Sequence, residues 1–367
     1  MQSRLGWSVV EAVFFSRYLK NQEGDNLLKQ KKLRWGVILL LAAALVISGC
    51  TQSTPPTPGE EPEGEGEATA EAYSIGIVQI VEHPALDVAR SGFMDALASE
   101  GFKEGDNLTI NYKNAQGEMS TAVTISEGFV ADKVDLILAI ATPCAQAAAT
   151  ATKEIPILIT AVTDPVAAGV AESLEQPNTN VTGTTDMNPI KEQLELALEI
   201  NPEVKNIGII YNSGEVNSVV QVDIAKEVAP ELGINIVEAV ATNSGEVGTA
   251  AESLIGKVKA IYVPTDNTIV SALRSVVRVA EDHDLVLIAG DVESVENGAV
   301  ATLGISYYGL GYQTGLMAAE VLRGADPATM AIVGSKEFTY AINKTAAQNM
   351  GLELPQSLLD RADEVFE

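Results

Sequence analysis

From Tyr73 onward the chain alternates two textures. Short runs of β-branched and aliphatic residues, such as "YSIGIVQI", "VDLILAI", "IPILITAV", "NIGIIY", "KAIYV" and "LVLIAG", have the length and composition of buried strands. Between them lie Ala-rich amphipathic stretches long enough for helices. Alternation of this kind predicts α/β units built on parallel sheets. Polar residues gather where the strand-like runs stop: "EHPALD" (82–87), "NAQG" (114–117), "ATPC" (141–144), "VTDP" (162–165), "YNSGEVNS" (211–218), "PTDN" (264–267) and "GDVES" (290–294).

The pattern repeats within the chain. "IGIVQIVEHPALDVARSGFMDALASEGF" begins at Ile75 and "IGIIYNSGEVNSVVQVDIAKEVAPELGI" at Ile207, and each reaches a glycine, Gly101 or Gly233, after 26 residues. Both read strand, polar loop, helix and glycine C-cap. Residues 134–149 then parallel 258–272, and 155–165 parallel 285–294. The expectation is two doubly wound Rossmann-like lobes, each a set of βα units.

In open α/β sheets, ligands bind outside the carboxyl ends of the strands. If the two halves face each other across a cleft, the polar clusters converge there. One residue of "PTDN" would suffice to cap a helix. Thr265, Asp266 and Asn267 together read better as one wall of a ligand site.

Charge narrows the partners. The chain has 367 residues and a formal charge of −27, which argues against nucleic acid as a partner. The basic region is the extreme N-terminus, where "KQKKLR" precedes "WGVILLLAAALVISGC". That apolar run is short for a bilayer span and fits a signal-peptide core. It ends in Ile47, Ser48, Gly49 and Cys50, which resembles the lipobox of bacterial lipoproteins and implies cleavage before Cys50 with lipid on its sulfur; a plain secretory signal is the alternative. Residues 1–49 are therefore expected to be a signal peptide, its long preface explained by a mis-called start. Residues 50–72 are expected to be the lipidated cysteine and a disordered acidic tether, since they hold 4 Pro, 3 Gly and 6 Glu and little to bury. With Cys50 acylated, Cys144 has no partner within the chain and suits a small packing role. No Cys/His cluster suggests a metal site, and no cofactor motif appears.

The sequences "HPALD", "NAQGE", "ATP", "TAVTDPVAAG", "NVTGTTD", "YNSGEVNS", "VPTDN" and "GAVATLGISYYGLGYQTG" occur in order through the folded region. Through them the chain resembles ABC-transporter substrate-binding proteins of the type I periplasmic-binding-protein fold, in the branch associated with uptake of tryptophan and other aromatic amino acids. The resemblance implies two lobes joined by three crossovers near Thr182–Asp186, Ile305–Tyr308 and Phe338, with a helix from Gly311 to Leu322 returning to the first lobe. Lobe 1 is expected at 73–183 plus 306–337, and lobe 2 at 184–305 plus 338–367. It further implies an extracytoplasmic, lipid-anchored monomer on the cell membrane that closes on an amino acid and delivers it to an ABC permease and its ATPase.

Charge matching then assigns roles. Thr142 and the N–H groups opening the following helix, with Pro143 beside them, suit a carboxylate. Asp164, Glu215 and Asp266 are candidates for an ammonium ion, which needs a charged partner when buried. Asn217, Ser218 and Asn267 supply further donors and acceptors, His83 suits a side-chain contact, and Ala115, Gln116, Thr163, Thr265 and Asp291 complete the expected lining. Asp186 and Asp291 suit a structural cap equally well, and Tyr307 and Tyr308 suit lining or filling of the hinge. An enzyme is disfavoured, because no G-x-G-x-x-G, phosphate loop or nucleophile elbow occurs. A ligand-sensing lipoprotein, or a sugar or nucleoside binder on the same fold, remain the alternative readings.

Overall fold

The two Ile-Gly-Ile segments solve the same packing problem in the same way. In the computed structural model, which describes residues 72–335 and 337–367, they form β1 (Tyr73–Gln79) and, in the second half, Asn206–Tyr211. Ile75 and Ile77 are fully buried, as are Ile207 and Ile209. A Cβ on Gly76 would lie 2.5 Å from the Phe129 ring, and one on Gly208 would lie 2.5 Å from a Leu254 methyl. Each glycine thus admits a large side chain directly onto the strand.

The first lobe continues with α1 (Pro84–Ser99), β2 (Leu108–Asn114), α2 (Met119–Asp132), β3 (Leu136–Ile140), α3 (Thr142–Ala151), β4 (Ile157–Val162) and β5 (Val181–Thr185). The second lobe holds α4 (Ile190–Ile200), β6 (Asn206–Tyr211), α5 (Val216–Leu232), β7 (Asn235–Val240), α6 (Val247–Glu252), β8 (Ala260–Val263), α7 (Asn267–Ser271), α8 (Leu273–Asp282), β9 (Val286–Ala289), α9 (Val292–Glu296) and β10 (Ala301–Gly304). The chain then returns through α10 (Tyr307–Leu322) and β11 (Val333–Gly334). It finishes in the second lobe with β12 (Thr339–Asn343), α11 (Lys344–Asn349), α12 (Gln356–Asp360) and β13 (Glu364–Phe366).

Strand order is β11-β5-β4-β3-β1-β2 in one sheet and β13-β12-β10-β9-β8-β6-β7 in the other. Reading 2-1-3-4-5 against 7-6-8-9-10, the repeat seen in sequence is a repeat of topology. All pairings are parallel except β10 with β12. Each sheet has its own apolar core, so the molecule is the expected pair of doubly wound lobes.

The chain passes between the sheets at 186–189, at 305–306 and again between β11 and β12. β5 stays in the first sheet to Thr185, two residues past the expected boundary, because Thr184 and Thr185 still pair with Val333 and Gly334. The returning helix starts at Tyr307, four residues earlier than expected, because the Ser306 hydroxyl accepts from the Gly309 N–H at 3.1 Å and caps it there. No helix among the described residues is long and apolar enough to cross a membrane. Cys50, the signal segment and the tether through residue 71 lie outside the described residues.

Candidate functional site

The carboxyl ends of β1, β4, β6, β8 and β9 bring polar loops from both lobes to one place. A tight cavity of about 20 Å³ is lined by His83, Ala85, Leu86 and Ala161 from the first lobe, Asn217, Thr265, Asp266, Asn267, Val270 and Asp291 from the second, and the hinge residues Asp186 and Tyr307. Toward the β2 and β7 side lies a larger space of about 570 Å³, walled by Gln116, Gly117, Pro143 and Gln146 on one lobe and Asn212–Glu215 and Asn267 on the other. Of the expected residues, His83, Asn217, Thr265, Asp266, Asn267 and Asp291 thus line the tight cavity, while Gln116, Pro143 and Glu215 line the outer one. Ala115 is buried beneath the outer loop, its N–H donating to the Gln79 carbonyl at 2.8 Å. Ser218 and Thr163 are buried behind the walls.

Hydrogen-bond accounting separates the scaffold from the groups left to act. Glu215 caps α7 from across the loop: Oε2 accepts from the Asn267 N–H and side-chain amide, and Oε1 accepts from the Thr268 N–H and hydroxyl. Asp266 accepts from Asn212 N–H at 2.6 Å and from Ile269 N–H at 2.9 Å. Asp164 accepts from the N–H groups of Val166 and Ala167 and lies outside both cavities. The three carboxylates expected to hold an ammonium ion are therefore each committed to protein donors. Asp291 is a cap as well, accepting from the Ser294 N–H and hydroxyl. Thr265 is locked by Gln221, which donates to its hydroxyl at 2.8 Å and accepts from its N–H.

Asp186 differs from all of these. It is 2 % exposed, Oδ2 accepts from the Tyr307 hydroxyl at 2.6 Å, and Oδ1 has no partner among the described residues. His83 Nδ1, Thr142 Oγ1 and Asn217 Oδ1 are buried and unpartnered in the same way. Native interiors rarely leave such atoms unsatisfied without a reason. Backbone strain falls in the same place. Ala141 has φ +79° and Ala161 φ +56°, a region that disfavours side chains; both sit at strand ends, and Ala161 lines the tight cavity.

The cleft is strongly acidic for its polarity. Burial, reinforced by the Glu215 charge, pushes Asp266 up to about 7, and burial pushes Asp291 up to about 6. Burial raises Asp186 too, against the help of the Tyr307 hydroxyl. His83 is held down to about 4 by burial, so its imidazole is neutral at physiological pH. Burial also pushes the Cys144 thiol up, which leaves it an inert packing group. A buried pocket with several raised carboxyls and one carboxylate oxygen to spare suits a small cation, such as a protonated amine.

Two lobes closing over a polar cleft at the strand ends define a solute-binding protein. The chain belongs to the ABC transporter substrate-binding protein family, whose pattern it matches over residues 74–366. It is 42% identical over 329 residues to a tyrosine-binding protein of Clostridioides difficile, covering 89% of this chain and 94% of that one. A Streptococcus pneumonia ABC domain solved with L-Trp superposes with a TM-score of 0.78 at 37% identity, covering 81% of this chain and 100% of that one. The ligand-free, open structure of an adhesive substrate-binding protein from Clostridium difficile is 45% identical, covers 81% of this chain and 99% of its own, yet superposes with only 0.62.

Proposed function

We propose that the protein captures an aromatic L-amino acid between its lobes and delivers it to an ABC permease driven by its ATPase, working as a lipid-anchored monomer on the extracytoplasmic face of the cell membrane. The observation that carries this reading is the unpaired oxygen of the buried Asp186, a residue of the two-lobe cavity whose carboxylate Tyr307 holds in place. A cavity of about 20 Å³ admits roughly one water-sized group, which fits an ammonium head. The relatives that bind tyrosine and tryptophan support the choice of an aromatic side chain.

The remaining roles follow from charge. The α-ammonium donates to Asp186 Oδ1, a charge-assisted bond in a water-poor site. The α-carboxylate takes the first turn of α3, whose Ala141 N-cap supplies no side-chain acceptor and whose Thr142 hydroxyl is buried and free to donate. His83 and Asn217 approach from opposite lobes, so the ligand bridges them only when the cleft is shut. Lipidation at Cys50 keeps the protein beside its permease.

Thermal melting of the purified chain against the twenty amino acids, sugars and nucleosides tests the reading. A ligand at a hundred times its Kd adds about 2.7 kcal/mol of stability. A shift confined to tyrosine, tryptophan or phenylalanine is the expected result. A shift with sugars or nucleosides alone overturns it.

A further inference from the structure

The outer chamber of about 570 Å³ has two unlike walls. Its large apolar groups all come from the first lobe: Ile80, Val81, Met119 and Pro143. The second lobe contributes polar residues and Gly214, from the segments that follow β6, β7 and β8. β2, β1 and β3 are neighbours in their sheet, and the four apolar residues follow the carboxyl ends of those strands. Met119 comes after β2, Ile80 and Val81 after β1, and Pro143 after β3.

Backbone bonds set Met119 in this wall. The Ala115 N–H donates to the Gln79 carbonyl at 2.8 Å and the Gly117 N–H to the Ile80 carbonyl at 2.7 Å, so the chain leaving β2 is tied to the end of β1. Gln116 and Gly117 then take left-handed conformations, φ +57° and +82°, and turn the chain into α2, whose first residue is Met119. Its side chain is left 43% exposed. A single exposed apolar side chain is ordinary on a protein surface. Of the large apolar residues left exposed in the described chain, however, Met119 is the one that lines this chamber. Among the described residues, no aromatic side chain stands in the chamber wall. A ring arriving there finds nothing to stack on. It finds a flexible thioether, which moulds to irregular shapes and makes favourable contacts with ring edges.

We infer that Met119 packs against the ring of the bound amino acid in this chamber, and is a specificity-determining residue for aromatic side chains. The inference rests on the aromatic amino-acid reading of the site. The tight cavity and the outer chamber share Asn267, so a ligand with its ammonium in the first extends its side chain into the second. The ring lies on Val81 and Pro143 above the buried Ile80, and Met119 covers its edge. A phenol hydroxyl or indole N–H turns toward the polar wall of the second lobe. An unbranched side chain adapts to either ring, so phenol and indole are both accommodated.

Calorimetric titration and oxidation footprinting of the full chain test this. Met119→Ala is expected to weaken binding of L-tyrosine, L-tryptophan and L-phenylalanine by about tenfold, and Met119→Leu by about threefold or less, since leucine keeps the apolar contact and loses only the sulfur. Both variants should melt without ligand as wild type does, because an exposed side chain contributes little to packing. In wild type, saturating L-tryptophan should slow oxidation of Met119 to its sulfoxide by hydrogen peroxide about fivefold or more, read by mass spectrometry. The half-buried Met330, which lines neither cavity, is the internal reference. Unchanged affinity in Met119→Ala overturns the inference and leaves the aromatic reading standing. So does a Met119 that L-tryptophan binding does not protect, a result that needs no variant and decides the matter even if Met119→Ala does not fold. Absence of wild-type binding to all three amino acids overturns both.

Discussion

Tyr307 donates its phenolic hydrogen to Asp186 Oδ2 over 2.6 Å, joining the first residue after β5 to the first residue of α10. This pair ties the start of the first connecting segment to the helix that follows the second, and Asp186 Oδ1 stays buried without a partner among the described residues.

Asp186→Asn removes the counter-charge while keeping the shape. Amino-acid affinity should fall by about 10- to 150-fold, the value of a hydrogen bond to a charged group. The same variant should melt at or above wild type at pH 8 without ligand, because a buried carboxylate near Asp291 is relieved. Calorimetry and thermal melts read the two effects separately. A loss of affinity accompanied by an equal loss of stability would assign Asp186 a purely structural role.

Glu215→Ala strips an acceptor from both backbone and side-chain donors of Asn267 and Thr268. We expect a loss of about 3 kcal/mol in denaturant unfolding, from several buried donors left unpaired at once. Asp164→Ala loses only a partly exposed turn cap and should cost about 1 kcal/mol. Its ligand affinity should match wild type; a tenfold loss there would return Asp164 to the binding site.

The raised carboxyls make stability depend on pH in an unusual direction. Asp266 and Asp291 bind protons more tightly folded than unfolded, so their contribution is complete below about pH 4 and is lost as pH rises through about 6 to 7. Melting temperature of the protein without ligand should decline over that window, less steeply because His83, held down to about 4, acts oppositely between about pH 4 and 6.5, as do the paired surface carboxylates Glu203 and Glu231 at lower pH. An ammonium ligand favours the ionised form of Asp186, so binding should release protons, seen as a calorimetric enthalpy that varies with buffer ionisation heat. Proton uptake on binding would contradict this arrangement.

Gly311→Ala tests the support behind Tyr307. A Cβ there would come within 1.8 Å of the Ala89 carbonyl, a backbone atom of α1 that cannot swing aside. α10 must then move off α1, whose first residue follows His83. Overpacking of this kind costs about 1–3 kcal/mol. Affinity should fall alongside stability, because both helix starts carry cavity residues; unchanged affinity would separate helix packing from the site.

The architecture was legible because hydrophobic period and repeat both report on backbone topology. Gly76 and Gly208 stand at the same step of the repeat and accept Phe129 and Leu254 in the same way. The polar clusters of both halves meet at the strand ends between the lobes. What composition alone did not reveal is which acid has an oxygen left over. Three residues after Asp266 and Asp291 stand Ile269 and Ser294, whose N–H groups they accept. Three residues after Asp186 stands Pro189, which has no N–H to give. That spacing is the sequence signal that separates a cap from a free carboxylate, and it requires counting donors rather than acids.

The position of the Asp186–Tyr307 pair on the connecting segments has a kinetic consequence. When a jaw turns about a pivot, points near the pivot barely travel while points at the rim sweep far. A ligand gripped at the pivot keeps its first handhold whether the jaws are apart or shut, whereas contacts further out form only at the end of the swing. Arrival and inspection are thereby separated in time: charge admits the visitor, and the shape and chemistry of its far end determine how long the jaws stay shut.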